Sequence, residues 1–139
     1  MLVDVLDGDT ITVAVGGRLD TVRLIGIDTP EVHSSFRDAE CFGAEASARL
    51  RQLLQPGDEL RLELDVETRD RYGRLLAYVH GNGAFVNEQL VAEGYAAAFP
   101  FEPNTTLSHR FAAAESRARA HGLGLWGDCG GPDVELDDG

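Results

Sequence analysis

The sequence predicts a mixed α+β domain, mainly a five-stranded β-barrel with three α-helices. Five short segments alternate apolar and polar residues with the period of a strand. Three further segments carry apolar stripes at helical spacing. The 139 residues and the 43% hydrophobic content suffice for one packed core. No internal repeat or linker divides the chain, so we expect a single domain over 1–139, with a C-terminal tail over 122–139.

The first three strands come early in the chain. Residues 2–6 and 10–15 alternate as strands do, and the glycine pair at 16–17 predicts a hairpin turn before a third strand over about 19–28. The polar residues 29–41 predict a loop.

A helix and a fourth strand follow. The apolar face formed by Ala46, Leu50, Leu53 and Leu54 predicts a helix over about 42–54, which Pro56-Gly57 ends. Alternation over 59–66 predicts a strand that places Leu60, Leu62, Leu64 and Val66 inward.

The remaining pattern predicts a strand over 74–80, a short helix over about 86–93 and a last helix over about 106–121. Beyond it, Trp126 is an apolar anchor in a glycine-rich tail. A helix after the third strand and helices after the fifth are typical of an OB-type barrel. We therefore expect a closed or nearly closed antiparallel barrel.

The charge is strongly acidic. Asp and Glu number 24 against 12 basic residues, all of them arginine, which gives a net charge of −12. Nucleic-acid binding usually draws on basic groups, so this sign opposes it. Two interpretations stay open: adaptation to high salt, where the Debye length falls to about 3 Å near 1 M, or an acidic surface that serves solubility.

The two cysteines, Cys41 and Cys129, lie outside any CxxC or Cys/His spacing, which argues against structural zinc. They are either a disulfide, which would imply an oxidising compartment, or two free thiols. No apolar run is long enough to span a membrane. No signal peptide precedes the first strand, so we expect a trimmed mature domain whose location the missing signal does not decide.

Acidic and guanidinium side chains follow three predicted strands: Asp7, Asp9, Asp28, Glu31, Arg23 and Arg74. A cation site needs only carboxylates and an anion site only arginines. Both together suit metal-assisted attack on a phosphate ester. Each motif alone is ambiguous, because Asp-Gly turns are common. Arg23, in an apolar run, is either a structural ion pair or a phosphate ligand.

One geometric condition must hold for this site. Arg23 and Asp28 are five positions apart, so in a regular strand they face opposite sides. We therefore predict a break in the strand near 26–28, for which Gly26 is suited.

The chain resembles the staphylococcal nuclease (thermonuclease) family over nearly its whole length. The matching segments occur in the family's order: Asp7-Gly8-Asp9-Thr10, Arg23-Leu24 through Asp28-Thr29-Pro30-Glu31, Phe42-Gly43-Ala44-Glu45-Ala46-Ser47, Asp70-Arg71-Tyr72-Gly73-Arg74, Ala77-Tyr78, Val86-Asn87, Pro103-Asn104-Thr105 and Leu125-Trp126. So many ordered matches are far more specific than any one of them.

The resemblance implies a calcium-dependent phosphodiesterase that acts on DNA and RNA, with single-stranded or denatured substrate favoured. Asp9 and Asp28 would bind Ca²⁺ through carboxylate oxygens and Thr29 through its backbone carbonyl, with Asp7 a nearby acid. Oxygen-only ligands suit this hard cation.

The resemblance also assigns the catalytic groups. Glu31 would orient or deprotonate the attacking water, while Arg23 and Arg74 would hold the phosphate and stabilise the transition state. The 5′ oxygen would leave, giving 3′-phosphate products.

The substrate-binding positions depart from the family pattern. Two tyrosines are usual before the Pro-Asn-Thr segment, but here Phe99 and Phe101 stand there, so stacking on a base survives while a hydroxyl contact is lost. Arg71 keeps a positive charge where lysine is frequent. Tyr72 either packs on a nucleotide or braces the turn, and His33 is a solvated loop histidine.

Three functions follow from these observations. The first is a secreted or envelope-associated calcium nuclease, monomeric and suited to a salt-rich habitat. The second is a non-catalytic nucleic-acid or protein-binding module on the same barrel. Retention of the whole acid and arginine set weighs against this second function. An acidic metal-binding interaction protein is the third.

Overall fold

The computed structural model describes residues 1–30, 40–132 and 134. The strands are β1 (Leu2–Asp7), β2 (Thr10–Val15), β3 (Arg18–Leu24), β4 (Ile27–Asp28), β5 (Leu60–Glu63), β6 (Leu75–Gly81), β7 (Ala84–Phe85) and β8 (Ala97–Ala98). The helices are α1 (Gly43–Leu53), α2 (Val86–Ala92) and α3 (Ser108–Ala120), followed by one π-helical turn at Leu125–Cys129. The predicted fold class, an OB-type α+β fold with five main strands and three α-helices, is confirmed.

The main sheet has the strand order β1-β2-β3-β6-β5, with β7 paired to β6, and β4 pairs separately with β8. The expectation of a closed, all-antiparallel barrel is wrong in two respects. β3 and β6 pair in parallel, which the long connection through α1 and β5 permits. Within the described ranges β1 and β5 do not pair as strands. Their ends still meet, because Leu2 exchanges backbone hydrogen bonds of 2.8 Å with Gly57 and Asp58.

Two strands are shorter than the sequence predicts. The third strand ends at Leu24, and Gly26 follows with a φ of +80° before β4 begins. The fourth ends at Glu63, so the inward placement of Leu64 and Val66 is wrong: they are 46% and 71% exposed. Beyond the strand end, apolar alternation no longer has a partner strand to pack against.

The core lies between the sheet and the helices. The apolar stripe of α3 is buried at Phe111, Ala114 and Ala118, and Leu50 of α1 is buried as well. Each large side chain of this kind contributes about 1.5–3 kcal/mol when fully buried. Phe111 lies directly against Gly26, so the core supports the chain at the strand break.

The C-terminal region is fastened to the start of α1. A disulfide joins Cys41 to Cys129, the first of the two alternatives that the sequence left open. Leu125 is fully buried and donates its backbone N–H to Gly94 at 2.9 Å, so it anchors this end more deeply than Trp126, which is half-buried. Among the described helices, none combines the length and apolarity that a bilayer crossing requires.

Candidate active site

The site begins where the β1–β2 turn meets β3. Thr10 pairs with Arg23 in the antiparallel ladder, and Leu24 donates its backbone N–H to the Asp9 carbonyl at 2.9 Å. The turn residue Asp9 therefore lies beside Arg23 although 14 positions separate them in sequence. The side chain of Asp9 is nearly fully buried.

Arg23 connects the two strand ends. Its Nη2 lies 3.2 Å from Asp9 Oδ2 and 3.5 Å from Asp28 Oδ1. The same nitrogen donates to the Ile27 carbonyl at 3.1 Å, and Nη1 donates to the Leu24 carbonyl. Arg23 thus forms the ion pair that the sequence allowed for, and it also lines the neighbouring pocket.

The strand break makes this meeting possible. With Gly26 at a positive φ, the chain turns between β3 and β4, so the side chains of Arg23 and Asp28 reach the same place despite their odd spacing. The prediction of an irregularity near 26–28 is confirmed.

Thr29 completes this part of the site. Its backbone N–H donates to Asp9 Oδ2 at 3.1 Å, while Asp9 Oδ1 accepts from the Thr10 hydroxyl at 3.1 Å. Thr29 is buried, and its Oγ1 has no hydrogen-bond partner among the residues that the structure describes. Asp7 accepts the backbone N–H of Gly8 at 2.7 Å, which stiffens the turn that carries Asp9.

The second arginine is held by its own turn. Asp70 Oδ2 accepts from Arg74 Nε at 2.7 Å, and Oδ1 accepts the backbone N–H groups of Tyr72 and Arg74. Burial alone would raise the pKa of Asp70, but the hydrogen bonds from Arg74 and the backbone outweigh it, so the pKa is lowered. Asp70 therefore stays ionised and fixes the Arg74 guanidinium at Nε.

An open pocket of about 510 Å³ joins these two parts. Its lining residues include Arg23, Arg71, Tyr72, Arg74, Phe99 and Phe101. The structure therefore brings both predicted catalytic arginines and all four predicted substrate-binding residues to one cavity. That size is within the range of small-molecule sites and fits one nucleotide better than a duplex.

The aromatic side chains of the pocket face solvent. Phe99 and Phe101 are 47% and 64% exposed, and their rings lie 6.4 Å apart with an interplanar angle of 11°. Tyr72 is 69% exposed; its hydroxyl accepts from Arg71 at 2.6 Å, and its ring lies beneath the Arg71 and Arg74 guanidinium groups at 4.8 and 5.7 Å. In this structure Tyr72 thus braces the arginines of the turn.

Glu31, the predicted proton acceptor, and His33 lie outside the described residues. Sequence reasoning gave no role to Asp70, Glu67 and Asn104, although all three line the pocket. Asp70 and Asn104 stand in two of the matching segments, so those segments were the available signal. Glu67 carries no such signal, because it lies outside the matching segments.

A hard cation such as Ca²⁺ needs several oxygen ligands around one point. The described residues hold no group of three or more His, Cys, Asp or Glu side chains able to take a metal ion. Asp9 Oδ2 and Asp28 Oδ1 lie 3.2 and 3.5 Å from the same atom, Arg23 Nη2, so the two carboxylates lie on the same side of the site. The carboxylates of Asp9 and Asp28 and the backbone carbonyl of Thr29 are oxygen donors, the type of ligand that Ca²⁺ prefers.

The fold, the paired carboxylates and the arginine-lined pocket are those of a nuclease-like domain, and comparison with known protein families identifies which one. A family model described as "Staphylococcal nuclease homologue" matches residues 21–128. The chain belongs to this family.

Individual relatives agree. The chain is 43% identical over 123 residues to the SPbeta prophage-derived endonuclease YokF of Bacillus subtilis, covering 87% of this chain and 41% of that protein. It is 42% identical over 127 residues to endonuclease YncB of the same species, covering 90% and 60%. It is 37% identical over 125 residues to the thermonuclease of Staphylococcus hyicus, covering 90% and 73%. The chain thus spans about two fifths and three fifths of the two Bacillus relatives.

Proposed function

We propose that this protein is a calcium-dependent nuclease that hydrolyses phosphodiester bonds of DNA and RNA by attack of water at phosphorus, leaving 3′-phosphate products. The observation that carries the proposal is one pocket lined by Arg23, Arg71 and Arg74, in which Arg23 is ion-paired with the Asp9 and Asp28 carboxylates. Family membership and relatives named endonuclease and thermonuclease support it.

Calcium would be held by the carboxylates of Asp9 and Asp28 and the backbone carbonyl of Thr29. When bound, such an ion supplies positive charge that offsets the charge developing on the phosphate oxygens. The protein prepares this place by hydrogen bonds to Asp9 from Thr10 and Thr29, which hold both of its oxygens in position.

The arginines bind and orient the phosphate. Arg23 is anchored by the carbonyls of Leu24 and Ile27, and Arg74 is anchored at Nε by Asp70. A guanidinium fixed in this way presents its remaining N–H donors without reorganising, which favours the charge of the transition state over that of the substrate. Glu31 would take the proton of the attacking water.

The exposed aromatic wall, formed by Phe99 and Phe101, would stack on an unpaired base, with Arg71 and Tyr72 beside it. Stacking needs a base that is free of its partner strand, so single-stranded or denatured nucleic acid is the favoured substrate. The neighbouring arginines supply a local positive potential on a chain whose net charge is −12. We propose that the protein acts as a monomer.

We further propose a secreted or envelope-associated enzyme that works in salt. The Cys41–Cys129 disulfide favours an oxidising compartment, and the acid excess without lysine favours high ionic strength. In that environment repulsion between the acidic surface and a polyanion is short-ranged.

The test is incubation of heat-denatured DNA and RNA with the protein, in calcium or in chelator, at low and molar salt. We expect cleavage in calcium and none in chelator. The electrophoretic mobility of the fragments should change on treatment with a 3′-phosphatase. Cleavage in chelator would contradict the calcium requirement. Binding without cleavage in every condition would instead support a non-catalytic binding module.

A further inference from the structure

The aromatic wall, Phe99 and Phe101, lies on a segment that crosses the pocket. At one end Phe99 donates its backbone N–H to the Gly26 carbonyl at 2.9 Å, beside the strand break. At the other end Asn104 donates its backbone N–H to the Phe101 carbonyl at 2.9 Å, closing a tight turn. The wall therefore depends on what holds Asn104.

Asn104 is held by one residue from the opposite side. Its side-chain Oδ1 accepts the backbone N–H of Glu67 at 2.8 Å, and its Nδ2 donates to the Glu67 carbonyl at 2.8 Å. Asn104 is only 4% exposed. Both ends of one amide thus bind both polar groups of one backbone unit, an arrangement that fixes position and orientation together.

Glu67 also lies three residues before the turn that carries Arg71 and Arg74. Leu76 donates its backbone N–H to the neighbouring Thr68 carbonyl at 2.8 Å, and Asp70 and Arg74 are hydrogen-bonded across the turn. The Asn104 side chain therefore links the aromatic wall to the arginine turn, the residues from Asp70 to Arg74.

We propose that Asn104 is a positioning residue that sets the aromatic wall at the correct place for an unpaired base while the arginines hold the adjacent phosphate. The inference rests on the proposed function and deepens it. Rings that are about half exposed have few packing partners of their own, so the order of Phe99 and Phe101 must come from the backbone that carries them.

The test compares the affinity of a fluorescein-labelled short oligothymidylate with that of the same oligonucleotide whose sugars lack bases. Fluorescence anisotropy in chelator measures Kd without turnover. Because stacking strengthens binding roughly five- to 150-fold per base, the wild-type protein should prefer the base-bearing probe by a ratio in that range.

The informative variant is Asn104→Asp. It is isosteric and keeps the acceptor for the Glu67 N–H, but it loses the donor and places an oxygen against the Glu67 carbonyl. We expect the ratio of the Kd for the abasic probe to the Kd for the base-bearing probe to fall about tenfold, or to one. The affinity for the abasic probe should change little. In cleavage with calcium, KM for the base-bearing substrate should rise while kcat is retained. Asn104→Ser, which removes both bonds without a charge, should lower the ratio in the same way.

A control variant that is destabilised away from the pocket separates positioning from a general loss of stability. Leu54→Ala opens the core near Gly81, where Leu54 packs, and Leu54 does not line the pocket. It should lower the unfolding temperature and leave the Kd ratio unchanged.

Three results would overturn the inference: an unchanged ratio in both Asn104 variants, an equal loss of affinity for the two probes, or a wild-type protein that does not discriminate between them. A wild-type protein that shows the expected Kd ratio but cleaves neither substrate would refute the nuclease function and leave the role of Asn104 standing.

Discussion

Replacing Gly26 by alanine tests the strand break on which the site depends. A Cβ there would lie 2.7 Å from Phe111 Cδ2 and closer still to Cε2, and Gly26 has a φ of +80°. The positive φ costs about 1–2 kcal/mol for a residue with a Cβ. Displacing a fully buried phenylalanine adds about 1–3 kcal/mol. Together they predict a loss of about 2–5 kcal/mol in the free energy of unfolding.

The chain provides a matched control in Gly83. Its φ is +76°, but a Cβ there would meet nothing within 4 Å. Gly83→Ala therefore incurs only the backbone term and the same unfolded-state effect. Urea denaturation of both variants isolates the contact with Phe111 as their difference, about 1–3 kcal/mol. Equal losses in the two variants would refute the reasoning that Phe111 supports the break.

Three further predictions concern other parts of the molecule. Arg74→Lys loses the Nε donor to Asp70 and the planar fork, so kcat/KM should fall about 10²-fold or more in steady-state cleavage. Reducing the disulfide, which closes a separation of 88 residues, should lower the unfolding free energy by about 4–5 kcal/mol in a urea titration with reductant. Stability should also fall in acid through Asp65. Burial opposes its ionisation, but hydrogen bonds from Tyr78 and Thr106 outweigh burial and lower its pKa below 3.8. Its contribution is therefore present above that value and lost as pH falls through the folded-state pKa.

Each of these has a control. Arg61→Lys, on an exposed position of β5, should keep normal kinetics, and an Arg74→Lys enzyme as fast as the wild type would remove Arg74 from the transition state. Reductant should not alter the stability of a double Cys→Ser variant. Asp65→Asn should flatten the acid limb of the stability curve, whereas Asp128→Asn, at an exposed position, should not. Identical acid limbs in all three proteins would exclude the Asp65 contribution.

The sequence predicted the parts of the fold that local pattern encodes. The helices were placed within about two residues, because buried stripes and glycine or proline ends define them. The break at Gly26 followed from the odd spacing of Arg23 and Asp28. The parallel pairing of β3 with β6 was not predictable, since alternation gives the faces of a strand but not its direction.

The sequence predicted the site residues whose side chains carry the chemistry. It did not predict the residue that acts through hydrogen bonds to the backbone. Arg23 and Arg74 stood out as charged residues beside apolar strands. Asn104 acts through the backbone of Glu67, and no spacing in the sequence joins two residues 37 positions apart. The exposure of Leu64 and Val66 was missed for a related reason, because alternation continues past the point where the partner strand ends.

The most direct measurement of the central claim is a calcium titration of cleavage by the wild-type protein and by Asp28→Asn. If Asp9, Asp28 and Thr29 hold the ion that assists the arginines, cleavage of single-stranded DNA should vanish in chelator. The variant should then need at least about tenfold more calcium for half its maximal rate. A wild-type rate that persists in chelator, or an identical calcium requirement in the two proteins, would contradict the account.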